Sequence, residues 1–414
     1  MAEAPGPAAY FDELETRAPE TREAALLASL SSLVREVRTN SPYYKETLAG
    51  VDSRDIASRS DLARLPLLRK SDLAAIQRAR PPLGGLPPSS LRPARIFSSP
   101  GGLYEPDSTR RDYWRLGRAL WATGLRPGHT LHNCFAYHFT PAGVIMESAA
   151  LAIGATVFPA GTGHTEQQAQ AAAVLRSDCY AGTPDYLKAI VEKADELGVD
   201  VSSLRMAHVS GGPLTPALRQ FYDARGIAVR QSLATADCGL IAYETTPNDG
   251  LVIDENVLLE VVQVGTGNPV GDGEIGELVV TVLNPDYPLI RFATGDLTAI
   301  LPGQSSCGRT NRRIRGWLGR ADQSVKVRGL FVHPEQVRDI ARRHAGIARV
   351  RLVITNANGA DVMMLHVEPA ATGELDGRAI ESTMQSITKL RGEVCIAAAG
   401  SLPDDGRLID DTRS

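Results

Sequence analysis

The chain has 414 residues, 43% hydrophobic and 22% charged, enough for two or three domains with cores that need no disulfide or metal staple. Lys and Arg total 44 against 48 Asp and Glu, a net charge of −4, which argues against a nucleic-acid binder that relies on a basic field. The richest apolar stretch is interrupted by Glu147 and Pro159, short of the roughly 18 uncharged residues of a membrane span. The acidic, Pro-rich N-terminus does not read as a secretory signal. Five scattered cysteines without a CxxC pair read as reduced thiols in a cytoplasmic protein.

The first 93 residues read as a mainly helical lead-in. Residues 21–40 place Leu27, Leu30, Leu33 and Val34 on one helical face. A second helix is expected over 65–80, stopped by Pro81-Pro82. From Ala94 strands and helices alternate. Strands are expected at 94–98, 129–135, 155–158, 179–182, 206–210 and 227–232. Helices are expected at 107–124, 142–154, 165–177, 183–197 and 216–225. Such alternation predicts an α/β fold, a mostly parallel sheet covered by helices on both faces. Ligands of such sheets sit beyond the carboxyl ends of the strands, here the loops starting at Ser98, Phe135, Ser210 and Ser232. After Gly239 short β runs separated by Gly, Asn and Asp predict an antiparallel β subdomain. From Val325 a strand, a helix from Pro334, two strands around a turn at Asn358, a helix to Leu390 and a last strand make a small α+β unit.

Five stretches could carry chemistry. Ser98-Ser99-Pro100-Gly101-Gly102 follows a strand and could offer hydroxyls and backbone N–H groups to phosphate; a plain turn explains it equally well. Ser210-Gly211-Gly212-Pro213 permits close approach to a flat ligand, though a structural turn is the simpler reading. In Leu233-Ala234-Thr235-Ala236-Asp237, Thr235 could bind a phosphate oxygen and Asp237 a cation, or both could cap a helix. Asp296, after Gly295, could accept hydrogen bonds from two ribose hydroxyls or be a turn aspartate. Seven basic residues lie between Arg309 and Arg328, including Arg320 and Lys326; they form either a solvated face or a surface that faces phosphate. His132, His138 and His164 lack metal-ligand spacing, and Cys307 stands alone, so no zinc is expected.

In this order, these pieces resemble the adenylate-forming superfamily, and within it the phenylacetate–CoA ligase-like enzymes, from about Tyr10 to the end of the chain. The most specific stretch is Gly319-Arg320-Ala321-Asp322-Gln323-Ser324-Val325-Lys326-Val327-Arg328-Gly329 with Pro334, similar to the family's hinge motif GRxDxxxKxRGxxxxP. Leu289 to Leu297 looks like the family's ribose-binding stretch, and Cys307-Gly308-Arg309-Thr310 is typical of the phenylacetate branch. The resemblance implies a large domain over 1–321 and a small mobile domain over 322–414 that turns about Asp322. It implies attack of a carboxylate on ATP, then displacement of AMP by CoA, with Mg²⁺ sharing the phosphate charge. Ser98, Ser99, Gly101 and Gly102 would line the phosphates, and Ser210, Gly211, Gly212, Pro213 and Ala234 would pack on the base. Thr235 would touch the α-phosphate, Asp296 would hold the ribose, and Arg320 and Lys326 would serve the nucleotide at the hinge. Phe135, Tyr137, His138 and Phe139 would border a small, aromatic acid. Partners are then small molecules, neither nucleic acid nor membrane, and a homodimer is the default assembly.

Three departures stand out. The phosphate loop lacks the family's threonines and following Lys. The usual Mg²⁺-binding Glu is Ala236, with Asp237 one place on. The family's late Gly-Lys is Gly406-Arg407, and Arg is not interchangeable with Lys. These departures keep a second reading open, a non-catalytic relative that binds a nucleotide or acyl-CoA. Transfer to a carrier-protein thiol instead of CoA is a third.

Overall fold

The computed structural model describes residues 9–99, 102–246, 248–328, 330–357, 360–370 and 375–413. The expected turn at Asn358, together with Pro100, Gly101 and Gly329, lies outside them. No helix among the described residues is long and apolar enough to cross a membrane.

The α/β reading holds. A nine-stranded sheet runs in the order Thr156–Phe158, Thr130–Asn133, Cys179–Gly182, Met206–Val209 and Ala228–Thr235, all parallel. It continues through antiparallel Gly239–Glu244, Leu251–Ile253, Arg313–Ile314 and Ile300–Leu301. The three central parallel strands, Thr130–Asn133, Cys179–Gly182 and Met206–Val209, are buried almost throughout, as expected of strands covered on both faces. Helix Pro184–Leu197 shows the local logic. It has Pro at its first turn, buries Leu187, Ile190, Val191 and Ala194 on one stripe, and ends at Gly198 with φ +65°. Only a residue tolerant of the left-handed region closes a helix in that way.

A second sheet joins Val257–Val262, Gly276–Val282 and Leu289–Thr298, with Leu68–Arg69 parallel to the last and Gly319–Arg320 also paired to it. The first long helix, Pro19–Asn40, packs Leu26, Leu30, Leu33, Val34 and Val37 into the core under this sheet. Leu26 takes the buried place expected for Leu27. Each such leucine contributes on the order of 2 kcal/mol of burial.

From Val325 onward a separate hydrophobic cluster forms, with Val325, Val337, Ile354, Leu365, Ile380, Met384 and Ile409. It sits under a four-stranded sheet ordered Glu393–Ile396, Ala360–Pro369, Ile347–Ala357 and Ile409–Asp411.

Three expectations change. The strand at 94–98 is Arg95–Ser99, and it forms a hairpin with Leu103–Asp107 outside the parallel sheet. The helix expected at 107–124 shrinks to Gly117–Thr123, because Asp112 and Arg115 adopt positive φ (47° and 67°), which a helix excludes. The helix expected from 65 starts at Lys70, since Leu68 and Arg69 pair with Phe292 and Ala293.

Candidate functional site

The hairpin Arg95–Ser99/Leu103–Asp107 brings Ser99 over Glu105, and the Ser99 hydroxyl donates to Glu105 Oε1. Glu105 is buried, and its Oε2 has no hydrogen-bond partner. Burial first, and the negative charge of Asp237 second, push its carboxyl up to about 8. Asp237 follows strand Ala228–Thr235 in a tight turn, where Thr235 Oγ1 accepts from the Cys238 N–H at 3.0 Å. The Asp237 side chain is fully buried; its Oδ2 lies 2.6 Å from Lys70 Nζ and its Oδ1 has no partner. Burial works against the Lys70 charge, but Asp237 outweighs it and the amine's pKa is raised.

Asp296 stands within strand Leu289–Thr298 rather than in a turn. Gly295 before it has φ +76°, and a Cβ there would meet the Arg320 guanidinium at 2.7 Å. Asp296 Oδ1 accepts from Arg320 Nη1 and from Trp317 Nε1, both at 3.0 Å. Both contacts fall on the same oxygen, Oδ1. Trp317 is half-exposed, and the Arg338 guanidinium lies over its ring at 5.2 Å. Lys70 feels Asp296 as well as Asp237. Lys70, Asp237, Glu105, Ser99 and Asp296 therefore form one neighbourhood.

The Ser210 loop follows strand Met206–Val209, and Ser210 Oγ donates to the Ser232 carbonyl at 3.0 Å, which ties it to the neighbouring strand. Gly211 has φ +72°, and Gly212 has Pro184 at 3.3 Å from where a Cβ would stand; Pro213 completes the turn before helix Pro216–Asp223. Ala234 pairs with Leu240 across the bulged edge of the same strand region. Phe135 lies 3.9 Å from the Cβ position of Gly211, so the aromatic loop and the glycine loop adjoin. The Phe139 carbonyl accepts from the Ser98 N–H at 2.8 Å, which fastens the aromatic loop to the hairpin. The Tyr137 hydroxyl accepts from Asn133 Nδ2 at 2.7 Å, while burial and Glu147 push the phenol up. His138 and Phe139 are exposed.

Not every expected residue gathers here. Gly101 is outside the described residues, Gly102 stands at the hairpin turn with φ +74°, and of Lys326 only the strand backbone is described. Arg407 is exposed, with its backbone N–H on Asp405 Oδ1. The basic run between Arg309 and Arg328 is neither a solvated face nor a single phosphate surface. Arg309 binds buried Glu15, Arg313 binds Asp249, Arg312 binds Asp272, and Arg320 binds Asp296. Cys307 and Thr310 also serve the N-terminal seam: Tyr10 donates to the Cys307 carbonyl, and Arg22 donates to Thr310 Oγ1.

Lys70, Glu105 and Trp317 were missed by sequence reasoning. Lys70 is a lone lysine at a helix start, with its partner 167 residues away. The pairing of Leu68 and Arg69 with Phe292 and Ala293 delivers it beside the strand that carries Asp296.

A family model described as AMP-binding enzyme matches residues 111–282. The chain is 32% identical over 346 residues to the phenylacetate-coenzyme A ligase of Thermus thermophilus, covering 79% of this chain and 77% of that one. It is 31% identical over 349 residues to the phenylacetate-coenzyme A ligase of Escherichia coli, covering 80% and 78%. An open conformation of 2-hydroxyisobutyryl-CoA ligase in complex with 2-HIB-AMP and CoA shares the fold at TM-score 0.86 and 23% identity, over 98% of this chain and 95% of that one. With these identities over more than two thirds of each relative, the chain belongs to the adenylate-forming AMP-binding enzymes, in their phenylacetate–coenzyme A ligase-like branch.

Proposed function

We propose that the protein is an AMP-forming ligase that joins a small aromatic carboxylic acid to the thiol of CoA. A carboxylate oxygen attacks the α-phosphorus of ATP and pyrophosphate leaves, giving an acyl-adenylate. The CoA thiolate then attacks the acyl carbonyl and AMP leaves. The observation that carries this reading is the neighbourhood of Ser99, Asp237, Lys70 and Asp296, drawn from segments far apart in sequence. Catalysis in such a site is positioning plus neutralisation of phosphate charge.

In this reading Asp296 Oδ2 takes ribose hydroxyls, while Trp317 and Arg320 hold the carboxylate in place. Ser98, Ser99 and Gly102 line the phosphates, and Thr235 the α-phosphate. The Ser210–Pro213 loop packs on the base. Phe135, Tyr137, His138 and Phe139 border the acid. The unit after Asp322 is the mobile domain, and Arg407 is brought to the site by its rotation. Mg²⁺ enters as part of the substrate MgATP. The chain's own residues do not fit a protein-held Mg²⁺: Ala236 offers no ligand, and Asp237 has one oxygen on an ammonium.

The test is to incubate the protein with MgATP, CoA and a panel of aryl and alkyl acids and to follow AMP by chromatography. AMP release that requires both an aryl acid and CoA is expected. ATP binding without AMP release for any acid overturns the ligase reading in favour of a non-catalytic relative, which Ala236 and the exposed Arg407 favour.

A further inference from the structure

We propose that Lys70 is a phosphate-binding residue of the nucleotide site, its ammonium serving as a fixed cation where the family pattern places a metal-binding carboxylate. The inference rests on the nucleotide reading above and deepens it. It starts from position. Leu68 and Arg69 form a parallel ladder with Phe292 and Ala293, so the chain delivers Lys70 alongside the strand that carries Asp296. Helix Lys70–Ala79 begins at this residue. On its other side the ammonium meets Asp237, at the end of the strand that carries Thr235. Lys70 thus stands between the proposed ribose residue and the proposed α-phosphate residue.

Lys70 is also equipped for a ligand. An ammonium has three donors, and Asp237 Oδ2 takes one at 2.6 Å. The side chain keeps 29% of its surface exposed while that of Asp237 keeps none, so the open side of the pair is the cationic one. The pair's charges cancel, and Glu105 next to them holds its proton up to about pH 8. The neighbourhood therefore shows no excess negative charge to an entering phosphate. Asp237 in this arrangement orients the ammonium, because it holds the end of an otherwise flexible stem. Loss of the glutamate at position 236 is consistent with the same arrangement, since a second carboxylate there would compete with phosphate for Lys70.

A structural ion pair is the competing explanation, and two variants separate the roles. Lys70→Met alone leaves Asp237 buried and unpaired, so the double variant Lys70→Met/Asp237→Asn is the informative one. It restores charge balance without the ammonium. Its melting temperature should approach that of the wild type, while its ATP affinity, measured by calorimetry, should fall about tenfold or more, as expected for loss of a charge-assisted hydrogen bond. Asp237→Asn alone keeps the ammonium and an amide oxygen to hold it, so its ATP affinity should fall less than that of the double variant. A folded double variant with wild-type affinity overturns the proposal. So does a loss in Asp237→Asn as large as that in the double variant, or saturable binding of Mg²⁺ alone that Asp237→Asn abolishes. If the wild type itself binds no ATP, the nucleotide reading fails first, and the two failures are distinct.

Discussion

Two charged regions of this molecule are built on opposite plans. At the N-terminal seam, Glu15 is fully buried and fully occupied. Its Oε1 accepts from Arg309 at 2.6 Å and from Tyr243 at 2.7 Å, and its Oε2 accepts from the Phe11 N–H. Nearby, Arg17 and Arg22 share Glu255. In the Lys70 neighbourhood two buried carboxyl groups, Glu105 and Asp237, each keep an oxygen without a partner. Buried polar atoms are costly unless satisfied. The seam meets that cost with its own residues, while the other region leaves acceptors and donors to whatever enters. The crowded network holds the chain together, and the incomplete one is where we propose that a ligand enters.

Breaking the seam should have the largest effect on stability. Arg309→Met strands the Glu15 carboxylate, and removing one partner of a buried pair costs about 3–5 kcal/mol. Urea denaturation should show this loss, while ATP affinity per folded molecule stays unchanged. A change in ATP affinity with no loss of stability would erase the contrast between the regions. Asp296→Asn tests the other side. Loss of a charged acceptor for ribose should weaken ATP binding about tenfold to a hundredfold. The folding midpoint should move little, because Trp317 and Arg320 still meet an amide oxygen.

The two regions were not equally legible in the sequence. Asp296 and the Ser210–Pro213 loop could be singled out because each has glycine in one short segment, where the local backbone need is visible. The parallel sheet was readable for the same reason, since each strand and helix carries its own period. Lys70, Glu105 and Glu15 were not, because a lone charged residue has no period. Glu15 pairs with Arg309 across 294 positions, and Lys70 with Asp237 across 167. The helix expected over 107–124 failed for a related reason. Its apolar spacing is helical, but Asp112 turns into the left-handed region and places Oδ2 on the Gly117 N–H at 2.9 Å. Tertiary packing overrides propensity there.

Asp112 sharpens the comparison because its Oδ1 is an orphan away from the Lys70 neighbourhood. Burial raises its carboxyl to about 7, from 3.8. The folded state therefore holds a proton that the unfolded state releases between these values. The stability this contributes is complete below about pH 3.8 and is lost as pH rises to about 7. Asp112→Asn keeps an acceptor for Gly117, tolerates the left-handed backbone and does not ionise. The variant should gain on the wild type, by on the order of 1–3 kcal/mol, between acid and neutral pH. Denaturation midpoints across that range give the slope. Equal slopes for the two proteins would show that an orphan carboxyl here is met by water rather than by a proton.

The smallest stability effect belongs to Phe139, which is 78% exposed with φ +61°. Its ring buries little, and its anchoring contact is a backbone carbonyl that accepts from Ser98. Phe139→Ala keeps that carbonyl, so stability should stay within about 0.5 kcal/mol of the wild type, as for surface changes elsewhere. If the loop borders the acid as proposed, the same variant should raise the KM for an aryl acid severalfold and leave the KM for ATP unchanged. A side chain that does almost nothing for the fold would then matter for the ligand, as the incomplete network at Lys70 leads one to expect. An unchanged KM for every acid would remove Phe139 from the acyl pocket and leave it a solvent-facing ring on a loop held only by its backbone.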